Sequence, residues 1–293
     1  MPIYVSQLFT GLSVGSVLLL IALGLTFTFG QMGVINLAHG ELIMAGAYTA
    51  YMLGDSFGRS VSLLVALPVA FVVAGIMGLL LERLLIRRLY GRPLDTLLVT
   101  WGVSLVLQQV ARDIFGAPNV NVTKPGWLDG GFELFGATLP YTRLFIIGLV
   151  VAAVTGIWLY QTRSSAGRRM RAVMQNRQLA ACSGINTQRV DQRTFFIGSG
   201  LAGAAGVALT LLGPVGPTLG TNYIVDAFLV VVAGGLGQIR GAVFAALSLG
   251  VIEALVEFKT QASLAKVAVF VAVIALLQLR PQGLVVMRSR ALT

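Results

Sequence analysis

The sequence has one cysteine, Cys182, and one histidine, His39, in 293 residues. A single thiol excludes an internal disulfide and any multi-cysteine metal site. A single imidazole leaves a histidine-based metal centre or a catalytic triad without its other members. Charge is scarce too: Asp, Glu, Lys and Arg make up 11% of the chain. No GxxxxGK[ST] loop is present to cradle phosphates, and no serine or cysteine stands in a motif that would pair with His39. The sequence therefore predicts no metal, no cofactor and no catalytic residue.

What fills the chain is apolar. Hydrophobic residues account for 56% and the mean hydropathy is +0.86, more apolar surface than a soluble domain of this length needs, so a polytopic membrane protein is expected. Thirty-five glycines suit helices that pack closely in lipid. The formal charge of +10 could suggest a nucleic-acid partner, but its placement in loops makes it an orientation signal instead.

Apolar runs occupy residues 8–29, 42–53, 61–81, 96–115, 144–160, 194–212, 223–233, 242–256 and 264–279. The first has no basic leader and is too long for a signal-peptide core, so it reads as a retained span. Together the runs predict an all-α helical bundle, a single domain over 1–293 with eight or nine membrane segments. Some of those segments are too short to cross roughly 30 Å of hydrocarbon. If the arginine-rich stretch 161–193 faces the cytoplasm, alternation puts fifteen of the 21 Lys and Arg on that side. It leaves Arg59, Arg112, Lys124, Arg143, Lys259 and Lys266 on the other. The positive-inside rule then predicts an outer N-terminus and a cytoplasmic C-terminus.

The stretch 161–193 holds seven arginines against one acid, Asp191. Helix formers run from Arg168 to Met174, Asn176 is placed to cap a new turn, and Gly184 to stop a short helix from Arg177 to Ser183. Two surface helices result, the second expected to expose Leu179, Ala180 and Cys182 as a docking element; a flexible loop that only sets topology is the alternative. On the other side, residues 116–142 form the longest connection, rich in Pro, Gly and Asn. Trp127, Phe132 and Phe135 favour an ordered cap, with a brief strand or an interfacial helix at 132–135.

Short, glycine-interrupted runs in both halves, after GQMGVINLAHGE and before GGLGQIRG, point to broken helices lining protein or a watery path. Tight interhelical turns are the alternative. Glycine pairs at Gly11/Gly15 and Gly237/Gly241, and the run Gly198, Gly200, Gly203, Gly206, predict faces where backbones approach. Polar residues inside the apolar runs either fix packing by hydrogen bonds or flank a translocation path. Asn36, His39 and Glu41 at one break, and Asn222 and Asp226 at the other, are the candidates for a path taking a small neutral solute.

The run GLSVGSVLLLIALGLTFTFGQMGVINLAHGELIMAGAY and the segment RRMRAVMQNRQLAACSGIN leading into GSGLAGAAG resemble the permease subunits of branched-chain amino acid type ABC importers. RPLDTLLVTWGVSLVLQQVARDIFGAPNV and GPVGPTLGTNYIVDAFLVVVAGG look more specifically like the urea importer permeases of that family. The resemblance implies a bacterial inner-membrane transport subunit, not an enzyme, importing urea or short-chain amides, or else branched-chain amino acids. It also implies a second homologous permease, two cytoplasmic ATP-binding subunits and a periplasmic solute-binding protein as partners. Residues Arg168, Arg169, Arg171, Asn176, Leu179, Ala180, Cys182 and Gly184 would then form the helix that seats in the ATPase. An autonomous channel and a membrane enzyme are the readings from other classes.

Overall fold

The computed structural model describes residues 2–54, 62–134 and 137–285; Arg59, Phe135, Arg288 and Arg290 lie outside the described residues. The described chain forms α1 (Pro2–Met32), α2 (His39–Gly54), α3 (Ser62–Leu84), α4 (Pro93–Phe115), α5 (Tyr141–Arg163) and α6 (Ser165–Gln175). It continues through α7 (Arg177–Cys182), α8 (Thr187–Leu209), α9 (Leu219–Gly234), α10 (Ile239–Lys259) and α11 (Ala262–Leu279). Each of the nine apolar runs seeds one helix, and the arginine-rich stretch supplies α6 and α7. The protein is an all-α polytopic bundle.

Six helices, α1, α3, α4, α5, α10 and α11, are long and apolar enough to cross a membrane. Two are not long enough: α2 and α9 have 16 residues each, roughly 24 Å at 1.5 Å per residue. The third exception, α8, opens on the polar TQRVDQR before its apolar part.

That apolar part of α8 is the buried spine. Every residue from Gly198 to Leu209 is buried, and the helix packs on α3, α2 and α1. Small residues make this possible, and the glycine-rich faces meet other helices of the same chain as the sequence predicts. On α1 a Cβ added at Gly11 would lie 2.7 Å from the Val251 Cα of α10, and one at Gly15 would lie 2.7 Å from the Ala246 carbonyl. Contact that close trades side-chain volume for backbone dispersion between helices. The outer faces carry the large apolar side chains: Ile76 and Leu80 on α3, Leu98 and Trp101 on α4, Trp158 on α5 and Val271 on α11 are all exposed.

The described part of the connection between α4 and α5 is structured. Strands β1 (Gly131–Leu134) and β2 (Ala137–Pro140) pair antiparallel with Gly131 opposite Pro140, so the strand, of the two forms left open, is the one adopted. Trp127 meets Phe145 edge-on at 5.5 Å, and Leu128 is buried beneath. Val120 and Val215 exchange both backbone hydrogen bonds at 2.8 Å, which ties this connection to the one between α8 and α9.

Candidate functional site

The chain breaks after Met32, where Gly33 takes φ +63°, a left-handed conformation that favours glycine. Residues 33–38 are non-helical yet enter the bundle: Val34, Asn36 and Ala38 are buried. The Leu37 N–H donates to Thr100 Oγ1 at 3.1 Å. His39 then opens α2 with its Nε2 3.4 Å from the Ile21 carbonyl. From Ile21 to the end of α1 is roughly 16 Å of helix, and residues 33–36 with the turn at 37–38 bring His39 back to that level. So α2 starts well inside the bundle. Irregular backbone at that depth is tolerable because protein surrounds it.

The other short helix, α9, starts at the same place. Gly40 and Gly220, each second in its helix, lie backbone to backbone; a Cβ on Gly40 would sit 2.6 Å from the Gly220 carbonyl oxygen. Two helix N-termini therefore meet inside the bundle, both presenting the positive ends of their peptide dipoles. Glu41 supplies the acid in the first turn of α2. Its Oε1 accepts from Ser104 Oγ at 2.8 Å and Gln108 Nε2 at 2.9 Å, both on α4. Gln108 Nε2 also donates to Thr221 Oγ1 of α9 at 2.9 Å.

Half of this cluster is left open. Glu41 Oε2 and both polar side-chain atoms of Asn36 are buried without a hydrogen-bond partner among the described residues. A buried carboxylate oxygen and amide lacking partners cost several kcal/mol together, on the order of 1–3 for each group, so these atoms keep hydrogen-bonding capacity to spare.

The sequence candidates divide here. Glu41 and Asn36 are buried at the break. His39 is fully buried but turns to α1, where it leaves no room for a side chain at Gly24. Asn222 is exposed, and Asp226 pairs with Lys266 of α11 at 3.3 Å. At about 100° per residue Asp226 stands roughly 140° around α9 from Thr221, so Asn222 and Asp226 share a face turned away from Glu41. Sequence reasoning missed Ser104 and Thr221 as partners. A signal for Ser104 was present: Thr96, Thr100, Ser104 and Gln108 recur every fourth residue through an apolar run, and all four are buried.

At the arginine-rich end the two short helices form with the expected caps. Asn176 Oδ1 accepts the Leu179 N–H at 3.0 Å, and Gly184 takes φ +79°. Ser164 caps α6 and Asn186 caps α8 in the same way. Arg168, Arg169, Leu179 and Cys182 are exposed and Arg171 is half-buried. Ala180 departs from expectation: it is 5% exposed, because it lies on the inner side of α7 and packs into the core. Beneath α7 sits a polar joint the sequence did not reveal. Arg177 pairs with Asp191 on α8, Gln31 Nε2 lies 3.4 Å from the same carboxylate, and the Tyr90 ring lies 5.2 Å under the guanidinium. The Tyr90 hydroxyl donates to Glu82 of α3 at 3.1 Å. Burial first, then the Asp191 and Glu82 carboxylates, pushes the Tyr90 phenol above its ordinary range. The bond to Asp191 likewise holds the Arg177 guanidinium charged.

A family model described as the branched-chain amino acid transport system / permease component matches residues 7–278. The chain belongs to that family. The permease is 32% identical to the high-affinity branched-chain amino acid transport system permease protein LivH of Escherichia coli K12, over 96% of this chain and 95% of that one. It is equally similar to BraD of Pseudomonas aeruginosa, described in the same words, over the same shares. The ribose import permease RbsC of Escherichia coli K12 is 28% identical over 84% of this chain and 76% of its own. No solved structure matches. The permease is thus a membrane transport subunit of an ABC importer and not an enzyme, with ATP-binding and solute-binding partners in general terms. These comparisons give no support to the urea-specific subtype that two stretches of sequence suggested, and the branched-chain amino acid alternative fits them better.

Proposed function

We propose that the permease passes branched-chain amino acids across the inner membrane, along a path beside the meeting point of α2 and α9. The observation that carries this reading is the half-satisfied Glu41 carboxylate. An α-ammonium group would complete it with a charge-assisted bond. The two helix N-termini and the Asn36 amide offer complementary interactions to an α-carboxylate, as half-helices do in other transporters. A zwitterion uses both features, whereas neutral urea uses neither charge. Asn36 and Glu41 are the proposed path residues; His39 is assigned to hold α2 against α1, and Asn222 with Asp226 to a separate face beside α11.

The arginine-rich end is assigned to the cytoplasm by the positive-inside rule, with the N-terminus outside and the C-terminus inside. There α6 and α7 would seat an ATP-binding subunit through Arg168, Arg169, Arg171 and Leu179, with Asn176, Cys182 and Gly184 shaping the surface. Closure of the ATPase pair would move α7 as a rigid body, and the Arg177–Asp191 joint would carry that motion to α8. A second homologous permease would cover part of the exposed apolar faces, and a periplasmic solute-binding protein would deliver the cargo.

The test is uptake of labelled leucine and labelled urea in a strain lacking this chain, restored with the wild-type gene. Leucine uptake that returns with the wild type, while urea uptake does not, supports the proposal. The opposite pattern overturns it.

A further inference from the structure

The surface between the last turns of α3 and α5 and the first turns of α8 is hollowed, with Ala166 of α6 as one wall. Two adjoining hollows, about 500 and 370 Å³, share Tyr160, Ala166, Arg189 and Arg193. The larger has an apolar floor of Leu79, Phe196 and Ile197 and a rim of Arg83, Arg189 and Arg193. The smaller adds Arg169 from α6. Arg189 and Arg193, four residues apart on α8, project to the same side.

The charge of this hollow is unbalanced. No acid lines either part. Asp191, between the two α8 arginines in sequence, is committed to Arg177 and Gln31. Arg83, Arg169, Arg189 and Arg193 are all exposed and enter no ion pair among the described residues. Like charges held this close repel one another, and an anion placed among them removes that cost. The flanking surface is greasy: Leu80 and Leu84 on α3 and Trp158 and Leu159 on α5 are 43–60% exposed. Those side chains belong in hydrocarbon, so Arg83 at the end of α3, and Arg189 and Arg193 that share its hollow, sit at headgroup level.

We propose that this groove binds an anionic phospholipid, its phosphate held by Arg83, Arg189 and Arg193 and an acyl chain laid along Leu79, Phe196 and Ile197. Arginine forks suit phosphate oxygens, and basic pockets between membrane helices suit anionic headgroups. The apolar floor distinguishes this occupant from a free anion, which would gain nothing from it. A lipid seated there would bridge α3, α6 and α8, making the position of α6 sensitive to the lipid around it. The inference rests on membrane embedding alone, independently of cargo and of ATPase docking.

The test is native mass spectrometry of the full-length chain, purified in detergent and titrated with dioleoyl phosphatidylglycerol, dioleoyl phosphatidylcholine or sodium phosphate. Phosphatidylglycerol adducts should form preferentially and weaken about fivefold for each arginine removed in R83Q, R189Q and R193Q. A control with equal charge loss outside the groove, R87Q, should bind as the wild type does. Each single variant removes one exposed charge, so folding is spared and the series stays interpretable. Equal binding of the two lipids, an unchanged arginine series, or equal loss in the control overturns the proposal. Displacement of phosphatidylglycerol by millimolar phosphate marks a free-anion site and overturns it as well. So does exclusion of the lipid by an added ATP-binding subunit, which would give these arginines to a protein contact.

Discussion

Arg177 on α7 and Asp191 on α8 meet face to face, Nη1 donating to Oδ1 at 3.2 Å while Nη2 donates to Oδ2. The carboxylate has no exposure at all, while the guanidinium side chain is 44% exposed. The pair thus joins a surface helix to the buried spine of the bundle. Its acid is fixed in the core and its base reaches from the outside.

That asymmetry sets the first prediction. R177A leaves a buried carboxylate with Gln31 as its one remaining hydrogen-bond donor among the described residues, and breaking such a pair costs about 3 kcal/mol or more when burial is complete. Partial exposure of Arg177 reduces the figure. The double variant R177A/D191N removes the stranded charge and recovers most of the loss. Thermal unfolding of the three purified proteins checks this; a double variant less stable than R177A would contradict it.

The Gly40–Gly220 contact admits no side chain. G40A and G220A each force two helix N-termini apart, an overpacking cost of about 1–3 kcal/mol. Both should lower membrane expression and uptake together. G54A serves as the comparison, since nothing lies within 4 Å of a Cβ there. It should behave as the wild type in the same uptake assay.

Glu41 is predicted to act on transport rather than on folding. E41Q keeps an acceptor oxygen for Ser104 and Gln108 while removing the charge, so thermal stability should hold or rise. Leucine uptake should fall about tenfold or more, the equivalent of 1.4 kcal/mol of lost interaction. Wild-type uptake in E41Q would remove Glu41 from the path.

On α7 the two neighbours Leu179 and Ala180 separate surface from core. Leu179 is 64% exposed and Ala180 5%. L179D should leave the purified chain as stable as the wild type while releasing the ATP-binding subunit in pull-down. A180D should destabilise the chain itself, because it buries a charge with no partner. Equal stability losses in both would remove the distinction.

Composition alone required a helical membrane protein, because 56% apolar residues have nowhere else to be buried, and the nine apolar runs located the long helices. Local chemistry did the same for the arginine-rich stretch: Asn176 and Gly184 act within one turn of themselves, so caps are legible without a fold. Short glycine-interrupted runs announced broken helices, yet not where they would meet.

Only the tertiary structure brought Gly40 against Gly220, Glu41 against Ser104 and Gln108, and Arg177 against Asp191. These partners lie 14 to 180 residues apart in sequence. Periodicity tells which face of a helix is buried and is silent on which neighbour buries it. For the same reason Asp226 and Glu41, alike as acids in apolar runs, came apart: the turn of α9 sends one to Lys266 and leaves the other among hydroxyls and amides. Hydropathy decides that a chain enters the membrane; which polar groups find each other there is decided by how its helices pack.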